Sequence, residues 1–102
     1  MQARLGIAPI AWSNDDLPEL GGDTPLETCL REARAAGFSG IETGGKFPTT
    51  APELRAALEP HRLALASGWY SGTVLDADLS EEREKARAQL TLFRDLGAPC
   101  IA

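Results

Sequence analysis

Three short apolar segments alternate along the chain with stretches of helical spacing, and each apolar segment ends in polar residues. The first runs roughly from Leu5 to Ala11, the second from Phe38 to Thr43, and the third from Leu63 to Tyr70. Such short, uninterrupted apolar runs are typical of strands that are buried on both faces of a parallel sheet. Because parallel strands end at one edge, we expect the polar residues to meet where α/β folds bind ligands.

Helix signals occupy the intervals between these segments. The run Thr24-Pro25-Leu26-Glu27 predicts a capping box with proline at the first helical position, so the first helix should begin at Pro25 and end at Gly37. Thr50-Ala51-Pro52-Glu53 repeats this pattern for a second helix, which Pro60 should end.

A third helix is predicted to begin at Ser80, its N-cap, and to end at Gly97. Glu81 and Glu82 in its first turn would complement the positive end of the helix dipole. The residues expected to face the sheet are Leu26, Cys29, Leu30 and Ala33 on the first helix, Leu54, Ala57 and Leu58 on the second, and Ala86, Leu90, Phe93 and Leu96 on the third.

Repeated βα units fit either an open doubly wound sheet or an eight-stranded barrel. The first strand leads into Trp12-Ser13-Asn14-Asp15-Asp16 and a long polar loop rather than a glycine-rich phosphate turn, which favours the barrel. Pro99-Cys100-Ile101-Ala102 has the pattern of a fourth strand that has just begun. Residues 1–102 are therefore predicted to be one α/β domain, the N-terminal part of a (β/α)8 TIM barrel truncated at its C-terminus. Alone, this part should fold poorly.

Composition narrows the possible partners. The chain has 102 residues, 43% of them hydrophobic, and a formal charge of −5, which argues against binding to nucleic acid. No apolar run approaches the roughly 20 residues that span a bilayer, and no signal peptide opens the chain. Cys29 and Cys100 have no paired spacing, so a reducing cytoplasm is the expected location.

Glu42 is the most informative candidate residue. A carboxylate at the C-terminal end of a barrel strand is suited to acid/base work or to holding a hydroxylated substrate, although it could also pair with Lys46 or be solvated. Asn14, Asp15 and Asp16 could hydrogen-bond polyol hydroxyls, or they could shape the loop, since Asx residues favour turns.

Two tryptophans, Trp12 and Trp69, each follow or close a strand. An aromatic face there could bind the C–H face of a sugar ring. Alternatively, each tryptophan could simply pack at the rim of the fold with its N–H hydrogen-bonded. Lys46 offers a cation next to two glycines that allow close approach of a ligand. His61 falls at the opposite end of the predicted sheet and is expected to be a surface residue. No His, Cys, Asp and Glu group has metal-ligand spacing.

The stretches 6–19 and 36–48 together resemble the start of the inosose dehydratases of inositol catabolism. The resemblance rests on Trp-x-Asn-Asp after the first strand and Phe-x-Gly-x-Glu-x-Gly around the second. This family lies in the xylose-isomerase-like superfamily of (β/α)8 barrels. The Gly-Phe-x-Gly-x-Glu element alone is shared by many sugar isomerases and epimerases, which remain an alternative, as does a truncated, non-catalytic sugar-binding or interaction module.

The resemblance implies dehydration of 2-keto-myo-inositol, a polyol ketone, to a cyclohexane dione by a metal-dependent hydro-lyase. It further implies Co²⁺ or Mn²⁺ bound by residues beyond Ala102, with glutathione as a possible cofactor, and an inactive isolated fragment. Carried onto this sequence, the resemblance implies substrate-side roles for Trp12, Asn14, Asp15, Glu42, Lys46 and Trp69. The catalytic assignment of Glu42 comes from its place at the end of the second strand.

Overall fold

A computed structural model describes residues 2–76 and 78–102. A parallel three-stranded sheet in the order β1-β2-β3 is covered by helices that connect its strands. The elements are β1 (Gly6–Ile7), α1 (Leu26–Ala35), β2 (Gly40–Glu42), α2 (Ala51–Leu58), β3 (Ala64–Ser67) and α3 (Leu79–Asp95), with single 3-10 turns at Pro9–Ala11 and Glu59–His61. The predicted succession of three βα units is confirmed.

The first strand is shorter than predicted. Pairing ends after Ile7, and Pro9–Ala11 form a 3-10 turn in which the N–H of Trp12 donates to the carbonyl of Pro9 at 2.9 Å. Proline lacks the N–H that a sheet ladder requires, so its position in the run ends the strand. The other two strands are likewise shorter than the apolar runs that contain them.

The register of the sheet contains one irregularity, and it lies at the candidate site. Ile41 of β2 pairs with Leu65 of β3, but the next residue, Glu42, pairs with Ser67. Ala66 is therefore skipped, and the side chain of Ser67 comes beside that of Glu42.

The helix boundaries agree with prediction within two residues, whereas the capping groups differ. α1 begins at Leu26, and the carboxylate of Glu27 pairs with His61 at 3.0 Å instead of closing a capping box. At α2 the hydroxyl of Thr50 donates to the carboxylate of Glu53 at 2.7 Å. His61, expected at the surface, is thus half-buried and paired.

At α3 the predicted cap Ser80 is wrong. Asp78 is the N-cap, and its Oδ1 accepts the backbone N–H groups of Ser80 and Glu81 at 2.8 and 3.3 Å. The hydroxyl of Ser80 also donates to this carboxylate. These donors hold the pKa of Asp78 below its ordinary value, with the hydroxyl contributing most.

The core lies between the helices and the sheet. Its buried members are Leu30, Ala33, Ile41, Phe47, Leu54, Leu58, Leu63, Leu65 and Phe93, and Cys29 is buried beside it. The predicted stripe of α3 is wrong at Leu90, which is 51% exposed. Residues 89 and 90 both have the spacing that could place them on the same helix face as Ala86 and Phe93. In the structure Gln89 is the half-buried one, and its amide donates to the carbonyl of Trp69 at 3.4 Å.

Ala102 hydrogen-bonds to the segment that follows β3, beside the three-stranded sheet. Ala102 donates its N–H to the carbonyl of Gly68 at 2.9 Å and accepts the N–H of Tyr70 at 2.8 Å. Ala102 thus bonds to the two residues on either side of Trp69, as a residue in one parallel strand does with the neighbours of its partner in the next. This is the hydrogen bonding predicted for the start of a fourth strand.

Candidate functional site

An open cavity of about 640 Å³ lies at the carboxyl ends of the three strands. Residues that follow β1, β2 and β3 all contribute to it, as expected for parallel strands that end at one edge. The polar and aromatic residues of its lining are Ser13, Asn14, Asp15, Asp16, Glu42, Thr43, Trp69, Ser71 and Gln89. The structure thus brings together four of the six predicted site residues: Asn14, Asp15, Glu42 and Trp69.

Glu42, the last residue of β2, is half-buried and lines this cavity. The hydroxyl of Ser67 donates to its Oε1 at 2.9 Å, a contact that the register irregularity makes possible. Within residues 2–76 and 78–102, its second oxygen, Oε2, makes no hydrogen bond. Lys46 bonds to backbone carbonyls and forms no ion pair with Glu42, so the carboxylate is held through one oxygen by Ser67 while the residue lines the cavity.

The loop after β1 carries one structural residue and one that bridges to another loop. Asn14 accepts the N–H groups of Asp16 and Leu17 on its Oδ1 at 2.9 and 3.2 Å, which is an Asx turn. Asp15 accepts the N–H of Gly45 on its Oδ2 at 2.8 Å. Asn14 therefore shapes the loop, and Asp15 joins it to the loop that follows β2.

Glycine allows a close approach where these two loops meet. A Cβ built on Gly45 would lie 3.1 Å from Oδ1 of Asp15, and one on Gly44 would lie 2.8 Å from Cγ of Pro9. Both distances are tighter than ordinary van der Waals contact, so a side chain at position 44 would displace the ring of Pro9, and one at position 45 would make the Asp15 carboxylate shift.

Lys46 lies outside the cavity lining, contrary to the prediction that it presents a cation to substrate. Its Nζ donates to the carbonyl of Gly21 at 2.9 Å and to that of Thr24. The long side chain reaches back over the loop that precedes α1 and satisfies carbonyl groups there. In this structure Lys46 stabilises the loop between β1 and α1, called the first loop below, and does not face the cavity.

The two tryptophans occupy different environments. Trp12 is half-buried against the core, and its Nε1 donates to the carboxylate of Glu32 at 2.6 Å. It lies outside the cavity lining, because the 3-10 turn at Pro9–Ala11 redirects the chain before it. Trp69 lines the cavity and is 69% exposed, so only Trp69 presents an aromatic face to a ligand.

A further hydrogen-bonded cluster lies directly behind the loop that follows β3, and the sequence pattern did not predict it. Glu82, predicted only to complement the dipole of α3 from its first turn, is 6% exposed. It accepts the phenol of Tyr70, the N–H of Thr73 at 3.1 Å and the hydroxyl of Thr73 at 2.9 Å. These donors lower the pKa of Glu82, Tyr70 first, and the same bond raises the pKa of the Tyr70 phenol.

The sequence is similar to that of several known proteins. The chain is 51% identical over 98 residues to the rhizopine catabolism protein MocC of Rhizobium meliloti, covering 96% of this chain and 30% of that protein. It is 42% identical over 98 residues to an inosose dehydratase of Bacillus thuringiensis, and 40% identical over 100 residues to one of Geobacillus thermodenitrificans. The chain is homologous to part of the inosose dehydratases. No protein-family model matches it.

The homology extends over nearly the whole chain but over only part of each relative. The alignments to the two inosose dehydratases cover 96% and 98% of this chain, against 33% and 34% of those proteins. The chain therefore spans about a third of the length of the curated relatives it matches.

A solved structure shows the same fold. A family 2 AP endonuclease from Brucella melitensis superposes with a TM-score of 0.66 at 17% identity, over 98% of this chain and 40% of that one. At this identity the likeness concerns the fold alone. It confirms the predicted class, an α/β chain that forms part of a TIM barrel with a parallel sheet.

The cavity residues offer few donors for a metal ion. No group of three His, Cys, Asp or Glu residues within 2–76 and 78–102 is arranged to hold a metal ion. In the cavity, one oxygen of Asp15 and one of Glu42 already accept protein hydrogen bonds. These residues alone do not fit the divalent cation that the family resemblance implies.

Within residues 2–76 and 78–102, none of the helices is both long and apolar enough to cross a membrane.

Proposed function

We propose that this chain forms one wall of the active site of an inosose dehydratase, and that its cavity binds a polyhydroxylated cyclic ketone. The observation that carries the proposal is Glu42 at the carboxyl end of β2, with Oε1 held by Ser67 and the carboxylate directed at the cavity. Similarity to inosose dehydratases, at 40–42% identity, supports the reaction class.

The cavity offers the contacts that a polyol requires. Hydroxyl groups of the ring would bond with Glu42, Asp16 and Ser71, while the face of Trp69 would cover its C–H face. A cavity of about 640 Å³ is large enough for one six-membered ring. Lys46 and Trp12, which the family resemblance also suggests as substrate contacts, would act on substrate only through the segments they stabilise.

In the proposed reaction a proton and a hydroxyl leave neighbouring carbons of the ketone as one water molecule. Glu42 would take the proton from the carbon next to the ketone, because a carboxylate fixed by a single hydrogen bond keeps an oxygen free to accept it. Ser67 would orient that carboxylate. The departing hydroxyl needs a proton from an acid, for which we assign no residue of this chain.

The resemblance to this family implies Co²⁺ or Mn²⁺ and allows for glutathione. Because the cavity residues do not fit a metal by themselves, we propose that its ligands lie outside residues 2–76 and 78–102, and we derive no step through it. The proposed substrate is small and uncharged, and the proposed location is the cytoplasm.

The experiment is an assay of the intact protein with 2-keto-myo-inositol, followed by the ultraviolet absorbance of the dione. We expect turnover in the wild type and a fall of at least about 100-fold in kcat for Glu42→Gln. Glu59→Gln, an exposed carboxylate at the other end of the sheet, is the matched control and should leave turnover unchanged. Conversion of a sugar to its isomer with no dione would instead support an isomerase or epimerase, and binding without conversion a non-catalytic module.

A further inference from the structure

The loop after β3 presents alternate residues to opposite sides. Trp69 and Ser71 line the cavity, whereas Tyr70 between them directs its phenol at α3. Because Tyr70 lies between Trp69 and Ser71 in sequence, fixing Tyr70 restrains the backbone of both neighbours. The position of Tyr70 therefore determines how Trp69 and Ser71 face a ligand.

Glu82 on α3 is the group that holds this loop. Its carboxylate accepts three donors from the loop: the phenol of Tyr70 and both the N–H and the hydroxyl of Thr73. The loop wraps closely around it, because a Cβ on Gly72 would lie 3.2 Å from Oε1 of Glu82. A buried carboxylate is costly unless it is hydrogen-bonded, so this burial depends on the loop donors.

Two backbone contacts complete the attachment. The N–H of Tyr70 donates to the carbonyl of Ala102 at 2.8 Å, and Gln89 donates to the carbonyl of Trp69 at 3.4 Å. These contacts hold the chain at residues 69 and 70, but neither reaches Ser71 or Thr73. Beyond Tyr70, the loop is tied to α3 through Glu82.

We propose that Glu82 is a positioning residue for substrate binding: it holds Tyr70 and Thr73 against α3 and so sets Trp69 and Ser71 against the ring of the bound polyol. Glu82 lies outside the cavity lining and does not touch the ligand itself. The inference rests on the proposed function, because it concerns the same cavity and the same class of substrate.

The kinetic test compares Glu82→Gln with Glu81→Gln in the intact protein. Both positions are first-turn carboxylates of α3, but Glu81 is exposed and its side chain makes no hydrogen bond to the loop among the residues described. We expect Glu82→Gln to raise KM for 2-keto-myo-inositol about three- to tenfold through the lost aromatic contact. The kcat should change by less than about twofold, since ground state and transition state lose the same contact. Glu81→Gln should change neither constant.

A combined variant separates positioning from general loss of structure. In a Trp69→Ala background, Glu82→Gln should raise KM by no more than about twofold, because the contact it positions is already gone. Additive effects on KM, or a fall in kcat with KM unchanged, would overturn the proposal. If Glu82→Gln fails to fold, Tyr70→Phe removes only the phenol donor and is expected to raise KM in the same direction.

A spectroscopic readout needs no substrate and so distinguishes the two proposals. With 5-fluorotryptophan incorporated, the ¹⁹F resonance that Trp69→Phe removes belongs to Trp69. Glu82→Gln and Tyr70→Phe should shift or broaden this resonance, and Glu81→Gln should not. If the ketone is not turned over but the resonance responds as expected, the proposed function fails while the positioning of Trp69 stands. An unchanged resonance in both Glu82→Gln and Tyr70→Phe would overturn the positioning role.

Discussion

The carboxylate of Asp15 accepts the backbone N–H of Gly45 at 2.8 Å and joins two loops that lie 30 residues apart in sequence. One loop follows β1 and the other follows β2, and both line the cavity. The bond therefore couples the two walls of the candidate site directly, in addition to the bonds from Lys46 to the carbonyls of Gly21 and Thr24.

Removal of this bond should destabilise the protein modestly. Asp15→Ala leaves the N–H of Gly45 without its acceptor, and we expect a loss of about 1 kcal/mol in the free energy of unfolding. Asp15→Asn keeps a side-chain oxygen and should lose less. Urea unfolding measures the difference, with the neighbouring Asp16→Ala as the control. Equal losses at positions 15 and 16 would show that the bridge contributes nothing specific.

Lys46 is expected to act on the first loop. Lys46→Met removes the ammonium that binds the carbonyls of Gly21 and Thr24, and should cost about 1–2 kcal/mol of stability. Limited proteolysis should then cut within residues 12–24 faster than in the wild type. The exposed Lys85→Met on α3 is the control. A higher KM with unchanged proteolysis would return Lys46 to the direct substrate role suggested by sequence.

The cap of α3 can be tested by a pair of substitutions two residues apart. Asp78→Ala removes the acceptor for the N–H groups of Ser80 and Glu81, whereas Ser80→Ala removes only a hydroxyl donor. We expect Asp78→Ala to lower the urea midpoint clearly and Ser80→Ala to lower it much less. The opposite order would restore Ser80 as the cap.

Glu82 should make stability depend on pH in the acid range. Its pKa in the folded chain lies below the ordinary value of about 4.3 for a glutamate. The unfolded chain thus binds the proton first, so this contribution to stability is complete above about pH 4.3 and is lost as pH falls through the folded-state pKa. Urea unfolding between neutral pH and pH 3 should show a shallower acid loss for Glu82→Gln than for the wild type. Identical slopes would contradict this role.

Much of the fold could be predicted from the sequence, because strands and helices depend on the local order of apolar, polar and glycine residues. Apolar runs and glycine positions predict the parallel βα units, and the ends of those runs locate Glu42, Asp15 and Trp69 at one edge. Gly37 and Gly97 end α1 and α3 with φ of +96° and +74°, as their places in sequence indicate.

Side-chain directions could not be predicted in this way. Whether Trp12 faces the cavity depends on a 3-10 turn created by Pro9, and the reach of Lys46 depends on carbonyls more than 20 residues away. The contact between Glu42 and Ser67 depends on a register irregularity between strands, which no local pattern encodes. The burial of Glu82 likewise depends on loop donors from Tyr70 and Thr73.

The most direct test of the proposed site is a crystal structure of the intact protein with 2-keto-myo-inositol bound to the Glu42→Gln variant. We expect the ring in the cavity at the carboxyl ends of the strands, with a hydroxyl or the ketone within hydrogen-bond distance of residue 42 and the face of Trp69 against the ring. A ring bound elsewhere, with this cavity filled only by solvent, would contradict the central claim.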